Sequence, residues 1–182
     1  MRLSKSKIIA YRQCPKRLWL EVHRPELRDD SASEAAFQIG NEVGEIARKV
    51  YDPEGIGTFI DRDKFGYDEA FLQSDRLLAR CGEPLFEAGL QGDGAIAFAD
   101  VMLPVRTSYI DGGDGWRLLE VKSSTSVKDY QRDDLAIQIY LAHCMDVRLV
   151  SAGIAHIDNS FVYHGDGDYR GLFLEEDPFI VK

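Results

Sequence analysis

The sequence predicts a single α/β domain with a mixed central sheet, and three observations carry that expectation. Apolar residues recur at helical spacing through the first 81 positions. The period then drops to two over three strand-like runs between residues 85 and 121. One more helical stretch follows and leads into further strands, an order that closes a mixed sheet around one core. The length of 182 residues suits one domain, since domains run to roughly 100–200 residues. Residues 1–81 are thus expected to be mainly helical, and 85–163 to form the sheet and its crossover helix. No repeat, low-complexity tract or linker divides the chain.

Taken in order, Ser4 is the expected N-cap of a helix carrying Ile8, Ile9 and Tyr11. Pro15 interrupts that helix and suits the first turn of a second one, with Leu18, Trp19, Leu20 and Val22. Residues 23–31 are polar, contain Pro25 and read as a loop. Ser31-Ala32-Ser33-Glu34 then matches a capping box before a long helix. Its apolar stripe is Ile39, Val43, Ile46 and Val50, while Phe37, Gly40, Gly44, Ala47 and Tyr51 form a second, mostly small face that predicts close packing. A third helix over about 68–81 presents Phe71, Leu77, Leu78 and Cys81 before Gly82 and Pro84 stop it.

Residues 85–90, 95–103 and 116–121 are the strand-like runs, the last two joined by a turn-rich segment with Asp111-Gly112-Gly113-Asp114-Gly115. A helix is expected over 126–145, with Val127, Tyr130, Ile137, Tyr140, Leu141 and Cys144. Residues 148–157 form a further strand, and Asp158-Asn159-Ser160 is expected to turn the chain back into Phe161-Val162-Tyr163. Three Cys without short-range pairing argue against a disulfide scaffold and for a reducing compartment. No apolar run approaches the ~18 residues of a membrane span, and the N-terminus lacks the apolar core of a signal peptide. A soluble, cytoplasmic protein without a membrane partner is expected.

Charge is unevenly spread. The chain holds 22 Lys+Arg and 31 Asp+Glu, a formal net charge of −9. Residues 1–28 alone carry eight basic and two acidic side chains, so a +6 segment precedes a body of −15. A local basic patch is what phosphates feel, so Lys5, Lys7, Arg12, Lys16 and Arg17 are candidate nucleic-acid contacts; the plain alternative is a solvated helix face.

The chemistry-bearing stretch is Leu118-Leu119-Glu120-Val121-Lys122. Alternation sets Glu120 and Lys122 on one face of an otherwise apolar strand, where charges need a reason. Asp100 interrupts the apolar run 95–103 in the same way. If the two strands form a hairpin, Asp100 approaches Glu120. Two carboxylates beside a lysine suit a Mg²⁺ site for phosphoryl chemistry, the lysine acting on water or on developing charge. The alternative is a salt bridge at a strand end, with Asp100 capping a turn.

Ala99-Asp100, then 19 residues, then Glu120-Val121-Lys122 resembles the PD-(D/E)XK nuclease superfamily, in its RecB-like branch. Leu3-Ser4-Lys5-Ser6 with Cys14-Pro15-Lys16-Arg17-Leu18-Trp19-Leu20 resembles the opening of CRISPR-associated RecB-type exonucleases, and still more an uncharacterised bacterial RecB-like family. Gly40-Asn41-Glu42-Val43-Gly44-Glu45 with Ile46-Ala47-Arg48, Leu85-Phe86-Glu87-Ala88, Glu120 through Thr125, Asp134-Leu135-Ala136-Ile137-Gln138 and His156-Ile157-Asp158-Asn159 are similar to that family in order and spacing.

The resemblance implies a restriction-endonuclease-like core and a Mg²⁺- or Mn²⁺-dependent deoxyribonuclease, acting as an exonuclease on DNA ends or single strands. It implies metal ligation by Asp100, Glu120 and the Val121 carbonyl, with Lys122 and Gln138 as catalytic residues. Tyr130, Asp134 and Gln138 share one helix face that could meet the site. Glu87 either supports the site or ligates directly.

Three positions depart from the family pattern. Gly44 stands where such nucleases often carry a metal-binding His; the neighbouring Glu45 is either its substitute or a solvated residue. Ala142 stands where a Tyr usually follows the glutamine. Cys14 fits the early cysteine of iron–sulfur members, but one ligand does not hold a cluster that needs about four thiolates, so no cluster is expected. Cys81 and Cys144 are expected to be buried apolar-face residues, and Asp166-Gly167-Asp168 a plain turn. The alternatives to an active enzyme are an inactive DNA-binding or scaffolding module of the same fold, or a fragment of a longer nuclease.

Overall fold

The switch to period two appears as three antiparallel strands. The computed structural model describes residues 2–27, 33–107 and 113–177, with side chains in the long helix from Phe37 onward. β3 (Leu85–Gly92) turns through Asp93 and Gly94 into β4 (Ala95–Val105), which pairs in turn with β5 (Gly115–Lys122). Asp93 and Gly94 both adopt positive φ, the conformation a two-residue hairpin turn demands. A helix, α6 (Asp129–Cys144), then crosses over to β6 (Leu149–Ile157), which lies parallel to β5. β2 (Thr58–Phe59) joins β3 at one edge and β7 (Phe173–Glu176) joins β6 at the other. β1 (Leu3–Ser4) adds a parallel pair to β4, giving a mixed, open sheet of seven strands in the order β2-β3-β4-β5-β6-β7 with β1 on β4.

Helices flank this sheet. α1 (Lys5–Gln13) and α2 (Pro15–His23) meet at Cys14, whose extended backbone lets Pro15 start the second helix. α3 (Ser33–Tyr51) is followed by the short α4 (Arg62–Phe65) and by α5 (Tyr67–Leu78). The main core lies where α5 and α6 pack on the sheet, and includes Leu78, Leu85, Leu90, Met102, Trp116, Leu118, Leu135, Leu141 and Ile154. A smaller cluster, Phe86, Val101 and Leu119 with Tyr51, lies on the α3 side. Among the described residues no helix is long and apolar enough to cross a membrane.

Several expectations change. Ser4 does occupy the N-cap of α1, but its side chain caps nothing and meets Ser6 Oγ at 3.0 Å. The expected capping serine Ser31 lies outside the described residues, as do Asp111 and Gly112 of the expected turn. Along α3, Val43 and Ala47 are buried while Ile39 and Phe37 are exposed. The small face is packed at Ala47 and Tyr51 but not at Gly40 or Gly44, where a Cβ would meet nothing within 4 Å. There it opens a cleft instead. Cys144 is exposed and Cys81 only half-buried, each lying at or beyond the end of its helix.

Residues 161–163 do not return as a strand. Asp158 Oδ1 accepts from the Ser160 N–H and closes a local turn, and the segment beyond is folded on itself by the stacked Tyr163 and Tyr169 rings. Phe173–Glu176 takes the edge of β6 in its place.

α5 approaches β3 closely at Gly89. The Gly89 N–H donates to Ser74 Oγ, which itself donates to the Ala70 carbonyl. A Cβ on Gly89 would lie 2.7 Å from the buried Phe71 ring. Gly89→Ala is therefore expected to destabilise the protein by about 1–3 kcal/mol, read as a lower urea midpoint. An unchanged midpoint would mean that α5 lifts off β3 without cost.

Candidate active site

The site forms where β4 parts from β5. The β4–β5 ladder runs from Val105↔Gly115 to Val101↔Leu119 and stops, although the next step would set Asp100 opposite Glu120. On the other side the register is unbroken, with Phe86↔Val101 and Ala88↔Ala99 paired, and only Glu87, at φ +57° and directly opposite Asp100, makes no pair. Asp100 fills the breach with its side chain: its Oδ2 accepts the Val121 N–H at 2.7 Å. A half-buried backbone N–H at the end of the β4–β5 ladder is thereby satisfied.

β1 takes the edge of β4 that β5 has left, pairing Leu3 with Ala95 and Ser4 with Ile96. Lys5, the next residue, opens α1 in the gap, and its ammonium enters the carboxylate cluster. Lys5 Nζ lies 3.1 and 3.2 Å from the two oxygens of Glu120. It is also 2.8 Å from Asp134 Oδ1, at an angle outside hydrogen-bond geometry. Lys122 Nζ bonds Glu120 Oε1 and, at 2.7 Å, Asp134 Oδ2. Two lysines and two carboxylates thus alternate in a closed ring. Gln138 Nε2 donates to Glu120 Oε2, while Gln138 Oε1 is buried without a hydrogen-bond partner among the described residues.

Asp100, Glu120, Val121, Lys122 and Gln138 are brought together as expected, and Asp134 joins them from the same face of α6. Tyr130 stays exposed. Glu45 sits on the cleft wall, with most of its side chain in solvent and Arg48 at 3.8 Å. Among the described residues no three Asp, Glu, His or Cys side chains are grouped to share one ion, so Glu45 is not gathered with Asp100 and Glu120. Lys5 departs most from expectation, being held inside the cluster and not on a basic surface. Arg12 pairs with Asp133, and Arg17 with Glu21 and Gln13. Lys16 is exposed and Lys7 half-buried.

A cleft of about 730 Å³ reaches Asp100, Glu120 and Lys122 from the α3 side, through the gap between β4 and β5. Its walls include Gly40, Gly44, Arg48, Phe59, Arg62 and Glu87 and, among the described residues, none of the basic N-terminal segment. Arg48 lies over the Phe59 ring at 4.2 Å, and Arg62 pairs with Glu87 at 2.7 Å. Both arginines escaped sequence reasoning. Their only signal was Arg48 following the Gly40–Glu45 motif.

Burial works against every charge here. It outweighs the attraction of the lysines at Asp100, whose carboxyl, with Glu120 adding repulsion, is pushed up to about 8. Burial and then Glu120 also raise Asp134. At Glu120 burial is overcome by Lys5 and Lys122, which hold the carboxylate well below its usual range. The two lysines are likewise desolvated but are held above the ordinary lysine range, Glu120 and Asp134 being the largest stabilising partners. Both therefore stay protonated, with the ionised Glu120 as the largest stabilising partner of each.

A hard divalent cation fits this donor set. Two carboxylates and a carbonyl are a normal protein share of a Mg²⁺ shell, which keeps several waters. Asp134 Oδ1 and Gln138 Oε1 are buried beside these donors without a hydrogen-bond partner among the described residues, and burial raises the Asp100 carboxyl although its Oδ2 holds the Val121 N–H.

A carboxyl raised on folding keeps a proton that the unfolded chain has lost, so its contribution to stability falls as pH rises. For Asp100 the window runs from about 4, the ordinary Asp range, to about 8. In chelator, the stability of the parent relative to Asp100→Asn should decline across that window and level off above it. Urea unfolding at several pH values measures this. A constant difference would mean that folded Asp100 is already ionised.

No protein-family model, curated protein or solved structure matches this chain, so the geometry of these side chains is what bears on its function.

Proposed function

We propose that this chain is a Mg²⁺- or Mn²⁺-dependent deoxyribonuclease of the RecB-like PD-(D/E)XK type, acting on DNA ends or single strands. The observation that carries the reading is the convergence of Asp100, Glu120 and Lys122 at the parting of β4 and β5, at the base of an open cleft. The resemblance in motif order supports it independently. Asp100 and Glu120, with the Val121 carbonyl, would hold the cation. The chemistry such an ion supplies is polarisation of a phosphodiester and acidification of water.

The chain's own groups divide the remaining work. Lys122, held protonated, supplies fixed positive charge toward a pentacovalent phosphorane, a role its state favours over that of a base. Gln138 orients Glu120 through its amide N–H. Asp134 binds the Lys122 ammonium from α6 and fixes its position. Arg48 and Arg62, on the cleft wall, are donors for flanking phosphates.

A second reading, a DNA-binding module without turnover, is favoured by one observation: Glu120 is already bonded by two lysines and an amide. The two readings separate on variants. Asp100→Ala and Glu120→Gln are each expected to abolish Mn²⁺-dependent cleavage of single-stranded DNA while the domain stays folded by circular dichroism. Lys122→Ala should slow cleavage by about 10²–10³-fold and retain Mn²⁺ binding. Cleavage unaffected by Glu120→Gln would remove the assignment, and a parent protein that binds DNA without ever cutting it would favour the module.

A further inference from the structure

Lys5 has no part in the function proposed above, yet it is the most deeply committed cation in the site. Its ammonium contacts both oxygens of Glu120 and one of Asp134, with the side chain only 19% exposed. β1 pairing places it there, and the element that follows, α1, extends away over α6. Together with Lys122 and Gln138 it leaves neither oxygen of Glu120 without a bonded partner. A cation approaching Glu120 from the cleft meets a carboxylate that already serves two ammonium groups.

We propose that Lys5 is a built-in competitor for the divalent cation, holding Glu120 in the metal-free protein and shifting to Asp134 when the ion binds. The proposal rests on the metal-dependent reading of the site. Asp134 makes the exchange possible because it is within 2.8 Å of the same ammonium. The charge therefore moves from one carboxylate to the next without entering solvent. Lys5 does not touch the reacting atoms in this scheme; it is a positioning residue that sets how tightly the site takes its ion. Two positive charges a few ångströms apart repel strongly in a poorly solvated site, so the lysine lowers metal affinity for as long as it faces Glu120.

The competition predicts effects of opposite sign at two touching residues. Lys5→Met removes the competitor and should tighten Mn²⁺ binding by at least about tenfold, a coupling of ordinary allosteric size. Asp134→Asn removes the alternative partner, leaves the lysine on Glu120 and should weaken binding. A purely structural role would make both substitutions weaken it. Arg24→Gln, which deletes an exposed charge from the same segment, should leave the affinity unchanged. Calorimetric titration of Mn²⁺ into the metal-free full chain reads all four proteins. The larger rise in melting temperature of the Lys5 variant on adding Mn²⁺ gives a second readout. Lys5→Gln, which keeps a polar group in the gap, replaces Lys5→Met if the apolar variant does not fold. Equal or weaker binding by the Lys5 variant, with the parent binding normally, overturns the proposal and leaves the metal site standing. Absence of Mn²⁺ binding in the parent and in every variant overturns the metal-dependent reading together with it. Binding that appears only once Lys5 is replaced supports the competition in its strongest form.

Discussion

A carboxylate at the inner end of a buried strand must be neutralised from within the protein, and the neutralisation of Glu120 organises this molecule. The partners come from three separate places: Lys5 from the start of α1, Lys122 from two residues along β5, and Gln138 from α6. The consequence is largest for the N-terminal helices. α1 buries only Ala10 and α2 buries no residue, and a single methyl is worth about 0.8 kcal/mol. Breaking a buried charge pair costs about 3–5 kcal/mol. The ion pairs of Lys5 and the short β1 pairing therefore add to the half-buried Ile8, Ile9, Leu18 and Leu20 in docking this segment on the body.

The parting of β4 from β5 is the second half of the same constraint. A continuous ladder through Asp100 would bring Asp100 and Glu120 face to face and leave no room for Lys5. The end of the β4–β5 ladder at Val101↔Leu119 and the substitution of the Asp100 carboxylate for a backbone acceptor relieve both problems together. The gap also lets one cleft reach side chains that lie toward α6, although its outer wall is α3. The glycines of α3 face that opening, where a Cβ would meet no neighbour. Small residues on a helix face signal proximity to something, and here that something is space.

This pattern explains what could be read from the sequence. The charges at Asp100, Glu120 and Lys122 were legible because each interrupts an apolar strand, and Gln138 followed from the motif order. The strands themselves were legible from alternation, with ends extended by one to two residues in the structure. Lys5 was not legible as a site residue. It reaches Glu120 across 115 positions, through a two-residue strand too short for any periodicity to mark. The last strand was missed for a related reason: the turn at Asp158 was read correctly, but the long segment between it and Phe173 folds on itself before returning to the sheet.

The distribution of charge in space bears on how an acidic chain would meet a polyanion. In sequence the N-terminal segment is strongly basic, but in the fold its charges are largely spent. Arg2 pairs with Asp68, Lys5 with Glu120 and Asp134, Arg12 with Asp133, Arg17 with Glu21, and Arg24 with Glu26. The cleft is acidic in balance, its carboxylates at Glu45, Asp61, Asp63, Glu87, Asp100 and Glu120 facing Arg48, Arg62 and Lys122. Such a lining attracts cations and repels a phosphodiester until some of its charge is neutralised. On the proposed function, cation and nucleic acid are then not independent ligands. The ion has to enter first, and the arginines on the wall gain a net hold on phosphate only after it has done so.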